Sequence, residues 1–184
     1  SMRTQWMLER RPDGDAWMTR SPSYERSDNK FMRLRESWCD LIEDEGLQPN
    51  FISYMQLPKG GLLKSGDPVL VLPESSSLSS AEANAIREFV ADCGIAIADG
   101  VPGIYDEHSR ELPQSQLADL FGEPQTKEVN VRTFGKGKAI LLQADIAGYL
   151  QARLEGKEGP IHQMIENLLR SNGVRPQFAV EDAD

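Results

Sequence analysis

The chain has 184 residues, enough for one domain, or one domain with an arm. Its 39% hydrophobic content argues against disorder of the whole, and its 20 basic against 29 acidic residues, net −9, argue against nucleic acid as a partner. The longest strictly apolar runs are pieces such as Val69–Leu72 and Ala139–Leu142, whereas a membrane-spanning helix needs about 20 such residues, so no membrane partner is expected.

Residues 1–26 read as an arm. Trp6, Trp17, Tyr24 and three methionines are interspersed with arginines and show no clear period. Such surface needs something to lie on: its own domain, another subunit or a neighbouring domain. A helix follows, capped by Ser27 or Asp28, with Phe31, Leu34, Trp38, Leu41 and Ile42 on one face and Gly46 at its end. Phe51–Met55 is a strand candidate. Lys59-Gly60-Gly61 is a break, and Leu62-Leu63 starts a short helical turn.

Val69–Leu72 is a continuous apolar strand stopped by Pro73, the pattern of a strand buried on both faces of a parallel sheet. Ser79 and Glu82 have capping-box spacing, and the helix they open buries Ile86, Phe89 and Val90 before Cys93-Gly94. Ile95–Ala98 is the next strand, ending at Asp99-Gly100. A long loop to Pro113 leads to a short helix from Gln114 to Phe121. Val129–Phe134 and Lys138–Gln143 flank Gly135-Lys136-Gly137 as a hairpin. Asp145 opens a helix through Leu150. Pro160 starts another, with Ile161, Ile165, Leu168 and Leu169 as its stripe and Gly173 as its end. Phe178–Val180 reads as a last strand, and residues 181–184 as an acidic tail.

Strands alternating with helices through short connectors indicate a three-layer α/β domain with a mainly parallel sheet. Such folds begin with a strand, yet the first secure element here is a helix. The first strand is therefore expected outside this sequence, or replaced by the arm. Cys39 and Cys93 are too few for a disulfide framework and are expected to be small buried hydrophobes. No leader segment is visible, and a cytoplasmic setting is the expectation.

The order of segments resembles one family. It runs through Arg35–Asp44, Val69–Pro73 with Leu78-Ser79, and Ala81-Glu82-Ala83 leading to Ile86–Val90. Ala98-Asp99, Gly103, Asp106-Glu107-His108, Leu117–Gly122 and Gly135–Lys138 continue it. Together these resemble the trimerisation domain of the glycoside hydrolase family 42 β-galactosidases, over roughly residues 27–180. The resemblance implies a flavodoxin-like fold similar to class I glutamine amidotransferases. It also implies a parent protein whose barrel domain carries the catalytic carboxylates, a barrel that would need about 250 residues. The expected partners are then further copies of the chain, trimeric in that family, and the parent's barrel domain.

No catalytic residue is assigned. The amidotransferase relatives carry a nucleophilic Cys at a strand-to-helix elbow, but Asp99–Gly103 holds neither Cys nor Ser, and Cys93 precedes the strand. No cofactor or metal is expected. The most polar cluster is Asp99 with Asp106, Glu107 and His108, on the loop beyond a strand's carboxyl end where open α/β sheets bind ligands. The alternative function is therefore a sugar-binding or hydrolytic module using that loop. The bland reading is a loop packed on a neighbour. Trp6, Trp17 and Tyr24 are the expected interface residues. Ser75-Ser76-Ser77 could hold an anion, but a polar linker to a helix cap explains it equally well.

Overall fold

A computed structural model describes residues 30–123 and 127–176. In chain order its elements are α1 Lys30–Asp44, a 3-10 turn Leu57–Lys59, α2 Gly61–Ser65, β1 Val69–Leu72, α3 Ser80–Ala91 and β2 Ile95–Ala98. Then follow α4 Ala118–Phe121, β3 Val129–Phe134, β4 Gly137–Leu142, a 3-10 turn Ile146–Gly148, α5 Tyr149–Leu154 and α6 Gly159–Ser171. The arm, the caps Ser27 and Asp28, Phe178–Val180 and the acidic tail lie outside the described residues. The described chain forms two compact units, one over Ile52–Ala144 and one over Met32–Phe51 with residues 145–176.

The first unit holds a four-stranded sheet in the order β1-β2-β4-β3. β1 pairs with β2 and β2 with β4 in parallel, while β3 and β4 form the antiparallel hairpin expected around Gly135-Lys136. This is the mainly parallel, flavodoxin-like α/β architecture foreseen from the alternation of strands and helices. One sheet face puts Leu70, Leu72, Ala96, Ala98, Ala139 and Leu141 into a core with Ala83, Ile86, Phe89 and Val90 of α3. The other face, with Ile97, Ile140 and Leu142, is buried as well.

The Ser79 capping box is complete. The Ser79 hydroxyl accepts from the Glu82 amide at 3.3 Å, and the Glu82 carboxylate accepts from the Ser79 amide at 2.7 Å. It fixes the register of α3 and hence which residues meet the sheet. At the other end of α3 the backbone passes so close that only glycine fits. A Cβ on Gly94 would sit 2.5 Å from the Phe89 ring. A Cβ on Gly137 would overlap the Val90 and Gly94 carbonyl oxygens. The amides of Lys136 and Lys138 donate to the Ala91 and Gly94 carbonyls, at 3.0 and 3.1 Å, through that contact.

Several expectations need correction. Phe51–Met55 is not a strand: 51–53 is irregular and 54–56 is a turn, with the Gln56 side chain and carbonyl capturing the amides of Ser53 and Gly61. These local bonds, with Pro58 close behind, compete successfully against the β-branched and aromatic residues there. β1 is not buried on both faces. Its burial alternates: Leu70 and Leu72 face the core, while Val69 and Val71, on the opposite face, are half-buried. The helix expected from Gln114 narrows to α4, since the Ser115 hydroxyl accepts from the Leu117 amide in a tight turn. Asp145 caps a 3-10 turn rather than an α-helix, and the α-helix begins at Tyr149. Cys93 is exposed, in the left-handed conformation (φ 77°) that lets the chain leave α3, and Cys39 is only half-buried.

In the second unit, Leu34, Trp38 and Leu41 of α1 are buried, as the helical stripe predicted. Tyr149, Ile165, Leu168 and Leu169 contribute from α5 and α6. The Ser37 hydroxyl donates to the Ala147 carbonyl at 3.4 Å and accepts from the Leu150 amide at 3.3 Å. Asp44, closing α1, accepts from the Tyr149 hydroxyl and from Arg153, both at 2.7 Å. Burial, with this hydrogen bond second, pushes the Tyr149 phenol well above its ordinary range.

Candidate functional site

The candidate region lies at the carboxyl ends of β1 and β2, where residues 73–78 and the loop after Asp99 meet. Tyr105 bridges both: it pairs in parallel with Ser77 and antiparallel with Glu111. The Tyr105 amide donates to the Ser76 carbonyl at 2.9 Å, and the Leu78 amide donates to the Tyr105 carbonyl at 3.0 Å. Gly103, at φ 68°, turns the loop inward and donates its amide to the Ser75 carbonyl at 3.0 Å. Both segments are thus pinned backbone to backbone, a built structure rather than a loose excursion.

Asp99 does not stand with the other three candidate residues. Its carboxylate accepts from the Glu74 amide at 2.6 Å and so ties the turn after β1 to the end of β2. Glu74 itself is buried at positive φ (40°), a conformation uncommon for a residue with a Cβ. Sequence reasoning passed over Glu74, and its only signal there was a Pro immediately after an apolar strand. Asp106 folds its carboxylate back on its own loop, accepting from the His108 and Arg110 amides at 2.8 Å each. The Arg110 amide is the main reason its carboxyl is held below the ordinary range, with partial desolvation opposing and the His108 amide helping. Ser77 anchors the same turn through its hydroxyl, which donates to the Asp106 carbonyl at 2.6 Å. The His108 Nδ1 lies 3.9 Å from the Glu107 carboxylate, and the histidine is largely exposed.

The structure therefore places Glu107 with His108 and turns Asp106 and Asp99 to separate structural bonds. Among the described residues, no group of three or more His, Cys, Asp or Glu side chains is positioned to hold a metal ion. The loop continues to Arg87 of α3, which grips its far end. The guanidinium donates to Asp119 at 2.8 and 3.2 Å, to the Gln116 carbonyl, and to Asn84 at 2.8 Å. The serine run behaves as a linker to the α3 cap, with Ser77 and Ser79 committed to intramolecular hydrogen bonds. Trp6, Trp17 and Tyr24 lie outside the described residues.

The fold and this region define a class: a flavodoxin-like α/β domain whose strand-end loops are braced by hydrogen bonds of their own. Among solved structures, the chain is similar to the GH42 β-galactosidase Gan42B from G. stearothermophilus. That match has a TM-score of 0.54 at 14% identity, over 81% of this chain and 26% of that one. It is also similar to the β-galactosidase from Bacillus circulans sp. alkalophilus, with a TM-score of 0.59 at 13% identity, over 85% of this chain and 30% of that one. The chain thus spans less than a third of either neighbour's length. At such identity the likeness is one of fold. No family model matches the sequence, and neither does any curated protein.

Proposed function

We propose that this chain is a non-catalytic domain of a β-galactosidase-like glycoside hydrolase. It assembles subunits and shapes an active site carried by a separate barrel domain. The observation that carries this reading is the coverage: 85% of the chain lies on 30% of a β-galactosidase, as a part lies on a whole. The side chains of the candidate loop agree with it. Asp99 and Asp106 spend their carboxylates on backbone amides, which braces a surface rather than preparing a general acid or base.

The test is hydrolysis of a nitrophenyl β-galactoside by the isolated chain. The expected result is no turnover above the uncatalysed rate. Turnover that disappears in Asp106→Asn or Glu107→Gln would overturn the proposal and favour a hydrolytic module on that loop.

A further inference from the structure

Of the six asparagines in the chain, Asn172 alone is followed by a glycine. Such a pair is the one most open to attack of a backbone nitrogen on a side-chain amide, because glycine puts no side chain in the way. Gly173 is exposed, and a Cβ built on it would meet nothing within 4 Å beyond its chain neighbours. The pair sits where α6 ends. Asn172 closes the helix at φ −102° and ψ 13°, and Gly173 follows at φ 79°. The Gly173 amide donates to the Arg170 carbonyl at 3.1 Å and the Val174 amide to the Leu169 carbonyl at 3.0 Å, the two bonds that finish a helix through a left-handed glycine. The Asn172 carboxamide is held too. Its Nδ2 donates to the Leu168 carbonyl at 2.7 Å, and the Ser171 hydroxyl donates to the same carbonyl at 3.0 Å.

These bonds withhold a reaction that the sequence invites. Closing a ring needs the Asn172 Cβ and the Gly173 nitrogen eclipsed about the Cα–C bond, and the ψ of 13° at the helix end holds them apart. The attacking nitrogen keeps its proton on the Arg170 carbonyl, and the carboxamide is tied to Leu168. All three constraints lapse together when the last turn of α6 opens, and helix ends open at far lower free energy than the whole fold. We propose that Asn172 and Gly173 form a deamidation site gated by that turn. In the opened turn the deprotonated Gly173 nitrogen bonds to the Asn172 Cγ. The Cγ–Nδ2 bond breaks, and the amide leaves with a proton as ammonia. Water then opens the cyclic imide at either carbonyl, giving an aspartyl or an isoaspartyl residue. Either product carries a carboxylate in place of the donor to Leu168, at the negative end of the helix dipole. The turn no longer recloses as before, so one uncatalysed event releases the end of α6.

The test incubates the full chain at one mildly alkaline pH, folded in buffer and unfolded in urea, and follows the peptide spanning position 172 by digestion and mass spectrometry. The expected result is that both products accumulate in urea, and about tenfold or more slowly in the folded chain, as gating by local opening requires. Equal rates in the two states would overturn the gate, and no product in urea would overturn the site. Asn172→Asp tests the consequence without waiting for the reaction. By hydrogen exchange, its Gly173 and Val174 amides should lose protection relative to wild type, with the circular dichroism of the rest of the fold unchanged. Protection equal to that of wild type would overturn the release of the helix end.

Discussion

Trp38 and Phe89 carry the heaviest packing of their helices, each with 3% of its surface exposed. Truncating either to Ala removes a large ring from a filled interior and should cost ~3–5 kcal/mol in chemical denaturation. A loss below about 1 kcal/mol would mean that the apolar stripe had been misassigned. Ser76 makes the opposite case. Its hydroxyl is buried without a hydrogen-bond partner, so Ser76→Ala should leave stability unchanged or raise it by about 1 kcal/mol. A clear loss would reveal a partner for that hydroxyl.

Glu45 gives a pH-dependent counterpart. Burial is the largest reason its carboxyl titrates above the ordinary 4.5, with His162, 3.2 Å away, and Arg170 opposing, and Glu166 and Asp44 adding to the rise. A carboxyl raised in the folded state adds stability below its unfolded value and loses it as pH climbs through the folded one. Glu45→Gln should therefore gain on wild type as pH rises from 4.5 towards neutrality, read as the difference between paired denaturation curves. A difference flat across that window would contradict the assignment.

At the scale of elements, legibility followed locality. The α3 start could be read because Ser79 and Glu82 write both halves of a reciprocal bond into four consecutive residues. Replacing Ser79 with Ala should cost about 0.5–2 kcal/mol, measured by thermal or chemical unfolding, and a cost near zero would mean that the box contributes nothing. The β3–β4 hairpin and the Ile95–Ala98 strand were equally plain, from two glycines and an apolar run. Phe51–Met55 misled because strand-forming side chains were judged without Gln56, whose side chain closes a turn over them. The candidate site was half legible. Asp99 and Asp106 could be placed beyond a strand end, but nothing in the sequence says that their carboxylates turn onto the amides of Glu74, His108 and Arg110. Cys93 was misjudged because a left-handed helix exit selects for what the backbone needs and leaves the side chain outside.

For the whole molecule, the described sheet is mainly parallel, as the alternation of strands and helices in the sequence predicts. The fold neighbours are β-galactosidases more than three times as long as the matched portion. Under the function proposed above, this domain holds copies of the chain together, and it does so against a net charge of −9 on each copy. Assembly through a closed, symmetric interface gives a definite mass rather than open-ended growth.

The most direct measurement is therefore the mass of the chain in solution by multi-angle light scattering, followed across protein concentration. A single limiting species at a small whole multiple of the 20.5 kDa chain is the predicted result. A species that stays at 20.5 kDa at every concentration would contradict the assembly role.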